Sequence, residues 1–443
     1  MTDFVEHVLR PELFNPPVRS VLDGDFYEPL MRRYAYEFLP DVQVVMQVIN
    51  RHKHIPVAEV VDERELRAAL DHIRTLTTTP TDTSWLRGQH VYGASLFPDD
   101  FLARLERDRL STYSLSRKGD QYDLTFSGSC ASAFPWESTG MAAMSELYFR
   151  SLMRRMNRSE LEVLYARAKD RLWGTLQKIR AHPTIEISEF GTRRRNSYLW
   201  QKFVLSMCKD VLGQQFTGIS NTYLAFKYDA VPKGTNAHKL PMVEVALANT
   251  PDEMRAAQYL VYERWAKLYP PAMLILLTDT YGSKQFFAGA PEWLASMSRG
   301  ARGDSGDLFA YGDMLIAWYE SYGVDPRTKL YVPSDGLNAD MVIRLHEYFK
   351  GRIQMSYGWG TGLTNDFADL HPTPDRCVPG LAPLTWNELF RAFSNVCKPV
   401  EANGRGCAKI SDTKGKETGD PSAIARCVAV FGAGDQVENT IVV

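Results

Sequence analysis

Apolar positions along the chain fall into two textures, and the change comes near Pro183. Before it, the clearest periodic stretch is 159–180. Leu161, Leu164, Leu172, Trp173, Leu176 and Ile179 recur there at the spacing of one helix face. Ser159, with Glu162 three residues on, reads as its capping box. Ala181-His182-Pro183 ends it, because the residue before a proline is pushed out of the α region. Asp41 to Asn50 is apolar and β-branched, and predicts a strand. Residues 1 to about 145 otherwise mix strand-like and helix-like stretches, with a polar threonine-rich connection at 75–83.

After Pro183, short apolar runs end in glycine-rich or polar tips, with helix-like stretches between them. The tips are 190–195, 216–221, 234–238, 278–279, 302–307, 334–336 and 358–362. Strands alternating with helices predict parallel β-α units. Reactive groups at successive strand ends predict a barrel with its site on the carboxyl-end face. A doubly wound open sheet is the competing arrangement, since it also binds ligands at strand carboxyl ends. Residues 371–390, rich in proline, lead out of the barrel, and the last fifty residues read as strand-rich around a polar loop at 412–420.

Composition narrows the class. Apolar residues are 44% and charged residues 23%, the balance of a globular chain. The longest apolar run, Ala272 to Leu277, is far short of the roughly 20 residues a membrane span needs. Asp3, Glu6, His7 and Arg10 leave no secretory apolar segment near Met1. Fifty-one basic against 53 acidic residues argue against nucleic acid as a partner, while leaving room for a local cationic pocket. The six cysteines contain no C-x-x-C pair, and predict free thiols in a reducing cytoplasm.

Candidate chemistry concentrates in the tips. Gly415-Lys416 lacks the upstream glycine of a Walker loop, so any nucleotide is held otherwise. Gly358-x-Gly360-x-Gly362 reads as a phosphate cradle or as a tight turn. His52 and His54, flanked by Arg51 and Lys53, read as a solvated basic patch. Arginines at 193–195 and 302, carboxylates at 279, 304 and 335, and the glycines at 358–362 together suit a phosphorylated sugar beside a small anion.

Six of these segments carry a resemblance. Leu22-Asp23-Gly24-Asp25-Phe26-Tyr27, Phe190-Gly191-Thr192-Arg193-Arg194-Arg195, Thr217-Gly218-Ile219-Ser220-Asn221, Gly234-Thr235-Asn236-Ala237-His238, Arg302-Gly303-Asp304-Ser305-Gly306-Asp307 and Lys409-Ile410-Ser411-Asp412 resemble, in order, the motifs of nicotinate phosphoribosyltransferase. The resemblance implies a type II phosphoribosyltransferase of the α/β class. Its irregular β/α barrel (181–385) would stand beside an α+β domain. That domain would be built from 1–180, which includes the long linking helix, and from a returning C-terminal segment (386–443). The implied enzyme, of the ATP-dependent ligase class, makes nicotinate mononucleotide and pyrophosphate from nicotinate and phosphoribosyl pyrophosphate in NAD biosynthesis. ATP is a co-substrate and Mg2+ a cofactor, with no metal ligand assigned to a side chain. A cytoplasmic homodimer with shared active sites is implied.

Residue roles follow from the same resemblance. His238 matches a transiently phosphorylated histidine, and Asp279 is expected to orient its other ring nitrogen. Phe190 and Tyr27, the latter from the neighbouring subunit, would sandwich the pyridine and favour its developing positive charge. Arg193 and Arg302, supported by Thr235, would hold its carboxylate. Ser220 stands where nicotinamide enzymes carry an aspartate, and would favour the acid. Asp304 and Asp335 would accept from ribose hydroxyls, and Gly360 and Thr361 would hold the 5′-phosphate. Lys239 after the histidine and Glu28 after the tyrosine each reverse the family's usual charge, and are expected either to compensate one another or to weaken ATP coupling. The alternatives are a nicotinamide or quinolinate phosphoribosyltransferase, against which Ser220 and His238 argue, and a catalytically silent sugar-phosphate sensor.

Overall fold

In the N-terminal part of the chain, β1 (Gln43–Asn50) turns Val44, Met46 and Val48 inward at the two-residue period of a half-buried strand. A short hairpin, β2 (His90–Val91) and β3 (Ala94–Ser95), follows. The antiparallel β4 (Thr112–Lys118) and β5 (Gln121–Ser129) are joined through Gly119, whose φ of +64° a side chain would resist. The computed structural model describes residues 3–14, 16–391, 394–432 and 436–437.

The middle of the chain carries the parallel strands β6 (Ile187–Glu189), β7 (Phe216–Ile219), β8 (Ile275–Leu277), β9 (Gly300–Gly303), β10 (Leu330–Pro333), β11 (Gln354–Met355) and β12 (Tyr357–Trp359). They form two parallel sheets, ordered β11-β10-β9-β8 and β12-β6-β7. Only Ser356 separates β11 from β12, so the chain steps straight from one sheet into the other. At the opposite side, Pro232 bridges Ile219, and four residues on Asn236 Nδ2 donates to the Ile275 carbonyl at 3.0 Å. The two sheets therefore close on each other as an irregular barrel, and the open-sheet alternative is excluded.

Near the C-terminus, β13 (Asn395–Ala402) and β14 (Arg405–Gly406) return to the first sheet, ordered β14-β13-β1-β5-β4. β13 runs antiparallel to β1 from Ala402 opposite Val44 to Asn395 opposite Asn50. The helix Trp136–Met153 packs against β13 and β1 and is buried almost all round. It nevertheless carries Glu137 and Glu146 inward, and buried carboxylates need partners.

Three local expectations change. The long helix spans Arg158–Arg180, and its cap is Asn157 rather than Ser159. The Asn157 side chain accepts from Glu160 N and the Glu160 carboxylate accepts from Asn157 N, at 3.0 and 2.8 Å. Trp173, assigned to the apolar face, is 48% exposed. Among the described residues the C-terminal region is strand only in β13 and β14, because Asp420 caps a helix over Pro421–Phe431 with proline in its first turn. Among the described residues no helix is long and apolar enough to cross a membrane.

What joins the early chain to the barrel is a fully buried ion pair. Arg195 Nη1 and Nη2 donate to the two Asp23 oxygens at 2.7 and 3.0 Å, Nη2 also donates to the Pro17 carbonyl at 2.6 Å, and Asn221 Nδ2 donates to Asp23 at 2.8 Å. Asp23→Asn keeps the shape but strands the guanidinium. Urea denaturation of that variant should show a loss of about 3–5 kcal/mol, the usual cost of breaking a buried pair. Paired replacement of Arg195 and Asp23 by apolar residues should cost less.

Candidate active site

The carboxyl ends of the barrel strands and the start of β13 enclose a cavity of about 590 Å³. Nine arginines and lysines line it against four aspartates, so its field favours anions although the chain as a whole is nearly neutral. Tyr27, Phe190, Arg193, Ser220, His238, Arg302, Asp304, Asp335, Gly360 and Thr361 all line this one cavity. Asp279 lies behind the wall, and Thr235 is half-buried but outside the lining.

His238 stands at the start of the helix Lys239–Leu247. Its Nδ1 is 3.0 Å from Thr280 Oγ1, and its Nε2 is 3.0 Å from Asp304 Oδ2 and 2.9 Å from Lys409 Nζ. Burial, reinforced by the cation of Lys409, lowers its pKa to about 4, so the ring is neutral at pH 7. A neutral ring that gives its Nδ1 proton to Thr280 keeps a lone pair on Nε2. The expected orienter is thus corrected. Asp279 approaches Nε2, not Nδ1, at 3.7 Å, and bonds instead to Lys409 Nζ at 2.9 Å and to Ser305 Oγ at 2.6 Å. The strand ends fix which residues meet, but the ring nitrogen each one faces depends on side-chain rotation. Lys409 reaches the site because its backbone bridges Thr418 while Ile410 N donates to the Thr280 carbonyl at 2.8 Å. His238, Asp279 and Asp304 together resemble a metal-binding trio. However, Lys409 Nζ lies within 2.9 Å of two of them, so an ammonium already supplies the positive charge there.

The ring slot is shaped by close backbone approaches. A side chain at Gly358 would run into the Phe190 ring, so this glycine clears space for an aromatic rather than cradling a phosphate. A Cβ at Gly234 would lie 2.9 Å from Tyr27 N. Asp25 bridges Asn221, and Phe26 N donates to the Ser220 carbonyl at 2.7 Å. The segment carrying Tyr27 therefore docks on its own barrel. Tyr27 lines the cavity of its own chain, where the resemblance implied a residue from the neighbouring subunit. Its hydroxyl is buried with no hydrogen-bond partner among the described residues.

The two arginines expected at the carboxylate differ. Arg193 Nε is 3.3 Å from Asp25 Oδ2 and its Nη1 is 3.1 Å from Glu137 Oε1, which leaves Nη2 without a hydrogen bond among the described residues. Arg302 donates through Nη1 to the Asn236 carbonyl at 3.3 Å; its buried Nε makes no hydrogen bond among the described residues and lies 3.8 Å from Asp304 Oδ1. Ser220 Oγ donates to Asp25 Oδ1 at 2.6 Å, so serine at this position does not free its surroundings of negative charge. Asp335 pairs with Lys416 at 2.6 Å, and Asp304 also accepts from Ser334 Oγ at 2.8 Å. Gly360 and Thr361 open the short helix Thr361–Thr364 at the cavity wall. The reversed charges meet directly: Lys239 Nζ donates to both Glu28 oxygens, at 2.8 and 2.7 Å, deep in the interior. Burial still raises the Glu28 carboxyl to about 7, against the pull of Lys239.

Asp25, Arg51, Lys398, Lys409 and Lys416 line the cavity without having been singled out, and Arg194, named only within the arginine tip, lines it too. Asp25 and Lys409 stand inside recognised segments, which was a usable signal. Arg51 belongs to the patch expected to be solvated, yet faces the cavity and donates to the Lys416 carbonyl at 2.8 Å. His54 of that patch is exposed and His52 half-buried, as a surface patch requires.

Two family models match the chain: the nicotinate phosphoribosyltransferase (NAPRTase) family over residues 185–435, and the NAPRTase N-terminal domain over 22–145. A solved nicotinate phosphoribosyltransferase from Vibrio cholerae is 31% identical, with a TM-score of 0.80 over 95% of this chain and 96% of that one. One from Porphyromonas gingivalis is 23% identical, with a TM-score of 0.79 over 94% and 100%. A putative one from Saccharomyces cerevisiae is 22% identical, with a TM-score of 0.80 over 95% and 99%. The last two carry the likeness of fold alone.

If Lys409 helps hold His238 neutral, Lys409→Met should raise the imidazole pKa from about 4 toward its ordinary 6.5. Ring-proton NMR titration checks this, and an unchanged midpoint would leave burial as the whole cause.

Proposed function

The chain belongs to the nicotinate phosphoribosyltransferase family, enzymes of NAD biosynthesis, and on that premise we propose how its cavity transfers phosphoribosyl to nicotinate at the expense of ATP. Nicotinate enters between Tyr27 and Phe190, with its carboxylate toward Arg302 and Arg193. Arg302, hydrogen-bonded among the described residues through Nη1 alone, supplies a planar guanidinium that can meet both carboxylate oxygens. The ring nitrogen attacks C1′ of phosphoribosyl pyrophosphate, the C1′–O bond breaks, and pyrophosphate leaves with that electron pair. The ribosyl centre is oxocarbenium-like on the way. Aromatic faces that attract the nascent pyridinium more than the neutral ring lower this barrier. Lys409, Lys416, Arg51 and Arg194 surround the space left for the phosphates.

The observation that carries the ATP-coupled reading is a neutral imidazole at the cavity wall, with Nε2 facing both a carboxylate and an ammonium. Its lone pair attacks the γ-phosphorus of ATP, the bond to the bridging oxygen breaks, and ADP departs. Water later cleaves the N–P bond. Thr280 holds Nδ1–H throughout and so fixes the nucleophilic nitrogen. Asp304 and Asp335 line the cavity and would accept from the ribose hydroxyls; Mg2+, with no side-chain ligand assigned, would neutralise phosphate charge. Gly360 and Thr361 take the 5′-phosphate. The buried Glu28–Lys239 pair favours compensation between the two reversals over weakened coupling, and so speaks against a silent sensor. The division into 1–180, 181–385 and 386–443, a homodimer and a cytoplasmic location complete the proposal, the last supported by six free cysteines.

Pyrophosphate release measured with nicotinate, nicotinamide and quinolinate, each with and without ATP, tests this reading. Release with nicotinate, stimulated by ATP, is expected; release with none of the three would mark a sensor. His238→Ala should abolish nicotinate-stimulated ATP hydrolysis and leave a slow, ATP-independent transfer. Full coupling in that variant refutes the phosphohistidine.

A further inference from the structure

Glu137 is 1% exposed and lies in the first turn of the helix Trp136–Met153. An acid in a first turn commonly complements the helix dipole, which is reason enough for the sequence to pass over it. Its surroundings say more. Oε1 accepts from Lys398 Nζ at 2.6 Å and from Arg193 Nη1 at 3.1 Å, and Oε2 lies 3.1 Å from Lys239 Nζ. One carboxylate thereby holds three cations, from β13, from the tip after β6 and from the helix that follows His238. Burial alone would raise its pKa, but Lys398, Lys239 and Arg193 together hold it below the ordinary range. Without that charge, Arg193 keeps only Asp25 at its Nε, and the two lysines and the guanidinium repel one another in a medium that screens poorly.

We propose that Glu137 is a positioning residue for the pyridine-carboxylate subsite, orienting Arg193 so that its free Nη2 end faces the acid. The inference rests on the reading that Arg193 binds that carboxylate. Glu137 touches neither the cavity nor the reacting atoms, and acts through the guanidinium.

A double-mutant cycle separates the two claims. Arg193→Ala, Glu137→Gln and the double variant are assayed for nicotinate KM, phosphoribosyl pyrophosphate KM, kcat and thermal midpoint. Misplacing a binding group by a fraction of an ångström to an ångström predicts that Glu137→Gln raises nicotinate KM about tenfold or more. The KM for phosphoribosyl pyrophosphate should change less than about threefold, and the double variant should be no worse than Arg193→Ala. An unchanged nicotinate KM in Glu137→Gln, equal rises in both KM values, or full additivity with Arg193→Ala would each overturn the inference. An unchanged nicotinate KM in Arg193→Ala alone would instead overturn the assignment of Arg193, and this inference with it. Should Glu137→Gln not fold, Glu137→Asp takes its place in the cycle. It keeps the charge on a shorter arm, and the same KM split is required of it.

Discussion

The architecture of the site depends on one ion pair that water never reaches, Arg195 with Asp23. A guanidinium taken out of water is tolerable only with its charge matched and most of its hydrogens used: Asp23, Pro17 and Gln201 take those of Nη1 and Nη2, while Nε, 4.0 Å from Glu146 Oε2, makes no hydrogen bond among the described residues. The geometry leaves the early segment little freedom. With Asp23 fixed against the tip after β6, Asp25 lands on Ser220, Tyr27 on the cavity wall and Glu28 on Lys239. A strand end and a chain segment more than 150 residues apart in sequence thus become one wall.

Around that wall, charge is matched locally while the cavity as a whole is cationic. Asp25, Glu28 and Glu137 are interleaved with Arg193, Lys239 and Lys398 in the interior beside the ring slot. Elsewhere on the lining, Lys409 answers Asp279 and Lys416 answers Asp335, while Arg51 and Arg194 donate to backbone carbonyls. The two groups differ: three acids answer three cations in the first, while Arg51 and Arg194 of the second have no carboxylate partner among the described residues.

The barrel and its carboxyl-end site were legible because strand ends punctuate the sequence: an apolar run stops at glycine, arginine or aspartate, and the stops share one face. What lay between the stops was not. Glu137 and Lys398 sit in an ordinary helix turn and on a strand, where charge alternation reads as solvent exposure. Asn157-x-x-Glu160 and Ser159-x-x-Glu162 are overlapping capping patterns, and only tertiary packing decides between them. Asp279 was rightly brought near His238, but its distance and the nitrogen it faces are set by Lys409, which arrives from 130 residues downstream. The compensation between Glu28 and Lys239 is likewise a contact across the fold, not a local pattern.

The pairing of β1 with β13 has a consequence for synthesis. The N-terminal sheet has its central strand early and that strand's neighbour near residue 400, so the domain begun first is among the last to be completed. During translation, β1 must wait with one edge uncovered while the whole barrel emerges, and contacts of such long sequence separation form slowly. The same late segment delivers Lys398, Lys409 and Lys416 to the cavity. Assembly of the fold and completion of its cavity are therefore a single event, and a nascent chain that stops short of that segment carries a barrel whose cavity lacks Lys398, Lys409 and Lys416.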